Sequence, residues 1–133
     1  MPIFGAIGIA GTGMTVNRKW LDAVSDNIAN VNQVSATDEA AFQARFVIAQ
    51  EMGGPRDGGV QVAGIAYGSP EGRLVYDPTH PLADDGGYVR LPDIDLGSQM
   101  SQLIIAQRAY QSNATVVDRA KEAYQAALQI GRN

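Results

Sequence analysis

His80 is the single histidine of the chain, set in Asp77-Pro78-Thr79-His80-Pro81 with Asp84 and Asp85 a few residues further on. An imidazole among carboxylates has the composition of a metal site or of an acid/base pair. Yet no second His and no Cys accompanies it, and the aspartates do not follow the Asp-x-Asp-x-Asp-Gly spacing of a calcium loop. Two prolines around His80 make a rigid structural loop the expectation. Gly8-Ile9-Ala10-Gly11-Thr12-Gly13 has the glycine density of a phosphate loop, but its spacing is inverted from the dinucleotide fingerprint. No strand pattern precedes it and no Lys follows Gly13, so it reads as flexible backbone. Asn113-Ala114-Thr115 has the glycosylation pattern but falls in mid-helix, and is set aside. Without cysteine there are no disulfides, thiolate zinc sites or cysteine nucleophiles. The residues therefore ask for no cofactor and no metal and carry no enzyme signature. What remains of that class is a small periplasmic binding or hydrolase module built on His80 and the central aspartates.

The elements around these residues fall into three parts. A chain of 133 residues is about one domain's worth. Nine of its 15 glycines lie between Gly53 and Gly87, and five of its 6 prolines between Pro55 and Pro92. This separates an N-terminal helical segment (1–34), a Gly/Pro-rich β element (35–92) and a C-terminal helix (93–133) that pairs with the first. Charge divides in the same way. The flanks are neutral, and the net charge of −4 arises in the centre, with eight acids against four arginines. Neutral flanks suit packing, and a charged middle suits water. A composition 45% hydrophobic is too apolar for disorder, and the acidic balance argues against nucleic acid. No stretch reaches the roughly 18 apolar residues of a membrane span. Ile3–Ala10 lacks a preceding Lys or Arg and is broken by glycine, so no classical cleaved signal is expected.

In the first flank, steps of three and four give Ile7, Ala10, Met14, Asn17, Leu21, Val24, Ile28 and Val31, all apolar but Asn17. In the last they give Leu96, Met100, Leu103, Gln107, Tyr110, Ala114, Val117, Lys121, Tyr124 and Leu128. This is the 3.5-residue repeat of a coiled-coil seam. No Pro or Gly falls between Ser98 and Ile130, so the spacing predicts a helix of about 35 residues, on the order of 50 Å long. Asp93 and Asp95 suit its start and Gly131 its end. A lone helix buries almost none of such a seam, which forces a partner. The expected fold is mainly α with a small β element: terminal helices paired as an antiparallel coiled-coil hairpin around an inserted antiparallel β region. Ile104, Ala109, Val116, Ala120, Ala123 and Ala127 add further apolar faces to the last helix, fit for several neighbours. In the centre, Phe42, Ala44, Phe46 and Ile48 alternate as a strand, and Val60–Tyr67, Arg73–Tyr76 and Tyr88–Leu91 follow. These predict one element of three or four strands.

Leu21-Asp22-x-x-x-x-Asn27-Ile28-Ala29-Asn30-x-Asn32 resembles the N-terminal signature of the rod, hook and hook-associated axial proteins of the bacterial flagellum. Ala106-x-Arg108-x-Tyr110-x-x-Asn113 is similar to their C-terminal motif. Three central segments narrow the resemblance to the proximal rod: Gly59–Ile65, Val75-Tyr76-Asp77-Pro78-x-His80-Pro81-x-Ala83-Asp84, and Gly87-Tyr88-Val89-x-x-Pro92. The Tyr-Asp-Pro-x-His-Pro segment discriminates against a sister rod protein of the same family. The chain departs from the pattern at Gln33–Ala41, at Phe42, at Asp93-Ile94 and at Gln99.

The resemblance implies a structural subunit of the basal-body proximal rod, which crosses the periplasm. It implies export through the flagellar type III apparatus, and as partners further copies of the chain and other rod proteins. The terminal helices would pack against those of neighbours, with the β element outside. The assembly interface expected on this basis comprises Ile7, Met14, Leu21, Val24, Asn27, Ile28, Asn30 and Asn32, with Met100, Leu103, Ala106, Arg108, Tyr110, Asn113, Val117, Tyr124 and Leu128. For Asn27, Asn30 and Asn32, hydrogen bonding between subunits and simple helix capping both remain open. Arg108 and Tyr110 read either as partners across an interface or as an exposed Arg and a core Tyr.

Overall fold

A computed structural model describes residues 2–54 and 58–132. In chain order they form α1 (Pro2–Ala29), β1 (Arg45–Glu51), β2 (Val60–Tyr67), β3 (Arg73–Tyr76), β4 (Tyr88–Leu91) and α2 (Leu96–Ile130). The seam period drives both helices. Asn30 stops α1, its backbone N–H and side-chain amide both donating to the Asp26 carbonyl, at 3.1 and 2.8 Å. Asp95 caps the start of α2, its carboxylate accepting from the Ser98 N–H at 3.0 Å, and Gly131 closes the end. The glycine run expected to be flexible is helical, for Gly5, Gly8, Gly11 and Gly13 all lie inside α1. Seam residues either side of them hold the turns.

The helices run antiparallel. Going up α1, Phe4, Gly13, Trp20 and Asn27 meet Tyr124, Asn113, Gln102 and Gln99 in descending order. α2 has 35 residues against 28 in α1, so its turns beyond Tyr124 outrun the hairpin. On α1 the expected seam from Ile7 to Ile28 is half-buried or buried throughout. On α2 the seam runs Gln99, Leu103, Ala106, Tyr110, Asn113, Val117, Ala120 and Tyr124. It keeps the expected Leu103, Tyr110, Val117 and Tyr124 but takes their partners one residue earlier, so Met100, Gln107 and Lys121 face outward. Small size at Ala106 (0% exposed) and a satisfied amide at Gln99 decide this, not apolarity.

α1 carries a second buried face that the periodicity did not reveal. Val16, Trp20 and Ala23 turn toward Val47 and Ala49 of β1 and Ile65 of β2. The β region is two separate two-stranded antiparallel sheets, β1–β2 and β3–β4, rather than one element. β1 starts at Arg45, leaving Phe42 and Ala44 in the approach. Its register with β2 shifts after Ile48, where Ala63 is the extra residue. This bulge lets Val62 and Ile65, three apart, both face α1. The backbone of β3–β4 stands clear of both helices among the described residues. It is held by an antiparallel bridge between Ser35 and Arg90, whose backbone groups exchange bonds of 2.8 and 2.9 Å. Thus the 33–41 segment, which departs from the family pattern, touches the free edge of β4 at Ser35 and then turns away.

Among the described residues the largest fully enclosed side chains are only Val24, Val89, Asn27 and Pro92. The accessible surface is 8859 Å², where a compact chain of 14.1 kDa would show roughly 6,700 Å². No described helix is long and apolar enough to cross a membrane.

Candidate assembly surface

His80 sits where the loop reading put it. Its Nδ1 accepts the Leu82 N–H at 3.1 Å, and its backbone N–H donates to the Asp77 carbonyl at 3.2 Å. Asp84, another of the candidate acids, is committed to the same loop. One carboxylate oxygen accepts from the Tyr88 N–H at 2.9 Å and the other from the Thr37 hydroxyl at 3.0 Å. The Tyr88 N–H above all holds the Asp84 carboxyl below the usual aspartate range, with Thr37, Gly86 and Gly87 assisting against a partly opposing desolvation. Its stabilised form is thus the anion, which staples a turn. Among the described residues no group of three or more His, Asp or Glu side chains is placed to hold a metal.

The feature that does stand out is apolar surface without cover. α2 packs on α1 along one stripe only, and both flanks of that stripe stay open. Leu96, Met100 and Ile104 recur every four residues on one flank, each about half exposed. Ile105, Val116 and Ile130 line the other, with the small Ala109, Ala123 and Ala127 between them. On α1, Phe4 and Ile9 are about half exposed, and Gly5, Gly8 and Gly11 have no atom within 4 Å of where a Cβ would stand. Gly13 differs: a Cβ there would lie 2.7 Å from Asn113 Nδ2, so it permits close approach of the two helices. Beyond the hairpin, Phe46 and Ile48 point away from α1 across from Ala66 and Gly64.

The residues singled out from sequence separate into two sets. Ile7, Met14, Leu21, Ile28, Leu103, Tyr110, Asn113, Val117 and Tyr124 are half-buried within or beside the hairpin. Val24, Asn27 and Ala106 are enclosed within it. Asn32, Met100, Arg108 and Leu128 face outward, and Arg108 makes no ion pair among the described residues. Asn30 is a cap, as its bonds to Asp26 record. Asn27 is neither a cap nor a surface donor. Its Oδ1 accepts the Arg45 N–H at 2.8 Å, and its Nδ2 donates to the Arg45 carbonyl and to Gln99 Oε1, both at 3.0 Å. It joins α1, β1 and α2 at one buried point. Tyr110 lies 3.5 Å from Arg18 within the chain. The open flank residue Ile105 and the outward Phe46 and Ile48 escaped the seam count. Glycines at 5, 8 and 11, at every third position of a helical stretch, were the available signal for the α1 face.

The family described as flagellar basal body rod FlgEFG protein C-terminal matches residues 85–130, which span β4 and α2. The chain is similar to the flagellar basal-body rod protein FlgC of Borreliella burgdorferi, 34% identical over 98% of each chain. It is also similar to the FlgC proteins of Escherichia coli O6:H1 and Bacillus subtilis. These are 32% and 29% identical over 99% of this chain and 100% of theirs.

Proposed function

The chain belongs to the FlgC family of flagellar basal-body rod proteins, and from that premise we propose that its terminal helices are its means of assembly. It is a structural subunit of the flagellar basal-body rod, associated with other basal-body components and located there. The finer reading is a proximal rod subunit without enzymatic activity, delivered by flagellar type III export. Its neighbours are further copies of itself and other rod proteins. The observation that carries this is the pair of open apolar flanks on α2. Each such side chain gains roughly 1.5–3 kcal/mol when buried, a gain the single chain leaves unrealised.

The interface residues then divide their work. Ile7, Met14, Leu21, Val24, Ile28, Leu103, Ala106, Tyr110, Asn113, Val117 and Tyr124 build the hairpin, with Asn27 and Asn30 fixing its end. Asn32, Met100, Arg108 and Leu128, with the flank residues, meet neighbours. The β sheets face outward. Ile105→Asp and Val116→Asp test this, since both sites are already solvated in the single chain. The purified variants should melt as the parent does, while cells carrying them lack rods and do not swim. Normal swimming in both would overturn the reading.

A further inference from the structure

We infer that Asn27 and Gln99 set the register of the α1–α2 hairpin. A heptad seam does not by itself fix how far two helices slide, because apolar contacts recur every seven residues. This seam is also made largely of small and aliphatic side chains that would tolerate a slip. The Asn27 amide would not. It is 1% exposed, and both of its N–H groups are used on different elements. Sliding α2 by seven residues one way sets Ala106 opposite Asn27, and sliding it the other way sets Pro92, ahead of the helix start. Either slip leaves one N–H of a buried amide without an acceptor, which is the costly asymmetry of hydrogen bonding. In the second slip Gln99 would also face Trp20.

Asn113 supports the same register by shape. It rests on the bare backbone of Gly13, and the first slip would drive it onto the Trp20 indole. A slip of one heptad is about 10 Å along the axis. It would lengthen or erase the projection of α2 beyond Tyr124, so the polar pair also determines the axial reach of the chain. The inference stands on the hairpin geometry and is independent of the assembly proposal.

The chain has no cysteine, so spin labels at Asp22→Cys and Arg119→Cys mark only those two exposed sites. In the observed register they stand about 20 Å apart along the hairpin axis. The full-length parent should give one distance by pulsed electron paramagnetic resonance. Asn27→Leu/Gln99→Leu should add a second population shifted by about 10 Å. Gln99→Ala/Ala106→Gln moves the acceptor one heptad on, and should shorten the distance by about 10 Å. If the first variant fails to fold, the second decides. A single unshifted distance in the variants that fold overturns the inference and leaves the register to the short 92–95 connection. Failure of both to fold overturns it as well, since the pair is held to choose between registers and not to make folding possible.

Discussion

Replacing Gly8 and Gly11 by alanine separates the needs of the free chain from those of the rod. Both glycines lie inside α1, and nothing stands within 4 Å of either missing Cβ. Alanine is better than glycine in a helix interior by about 1 kcal/mol, so the pair should stabilise the isolated chain by about 2 kcal/mol. For a domain of this size that is a rise on the order of 8 °C in Tm, read by far-UV circular dichroism. Gly13→Ala is the internal control. Its Cβ would meet Asn113 Nδ2 at 2.7 Å, so the propensity gain is offset until Asn113→Ala removes the contact. In cells the sign should reverse. If neighbours pack on the bare backbone at 8 and 11, the stabilised variant loses rods and swimming. A variant that melts higher and swims normally would refute the reasoning, because the glycines would then weaken the helix to no purpose. Unchanged melting would refute its first half.

Other substitutions test the interior and the loop. Val24→Ala, at a side chain 1% exposed, should cost about 2 kcal/mol in chemical denaturation through lost burial and the cavity left. Asp84 has its carboxyl depressed in the folded state, so its contribution is intact above the usual aspartate value and is lost as pH falls through the lower folded value. The amide signals of Gly87 and Tyr88 should therefore stay constant from neutral pH through the ordinary carboxylate range and shift only at stronger acidity, a change that Asp84→Asn abolishes. His80→Ala removes the acceptor of the Leu82 N–H and should cost about 1 kcal/mol or less while swimming persists. Loss of a metal-dependent activity in that variant would instead support the binding or hydrolase reading.

The two helices, their pairing and the last three strands were legible because each rests on a local period or a local breaker. Leu103, Tyr110, Val117 and Tyr124 could be placed from spacing alone. Gln99 and Ala106 could not, because a seam counted by apolarity prefers Met100 and passes over an amide whose partner lies 72 positions away in sequence. The second face of α1 was hidden for a related reason. Val16, Trp20 and Ala23 interleave with the seam, and only the position of the β1–β2 sheet tells the two stripes apart. Division of the strands into two sheets depends on the Ser35–Arg90 bridge, which no alternation pattern announces. The glycines of α1 were misread because glycine is a weak helix former by itself, and their use lies in what can approach them.

The isolation of β3–β4 from both helices has a mechanical consequence. Force applied to a rod subunit at the β3–β4 hairpin has few routes to the helices. It passes through the paired backbone bonds of Ser35 and Arg90, through the short link from Pro92 to Asp95, and through the 68–72 link to β2, which packs on α1. The Arg90 guanidinium reinforces the first route by donating to the carbonyls of Thr37, at 2.7 Å, and Glu71. Because β4 lies between Ser35 on one edge and β3 on the other, a pull along the strand loads its cross-strand bonds together, whereas a sideways pull opens them in turn. The chain therefore resists shear along β4 better than peeling across it, and the β3–β4 hairpin has one stiff direction.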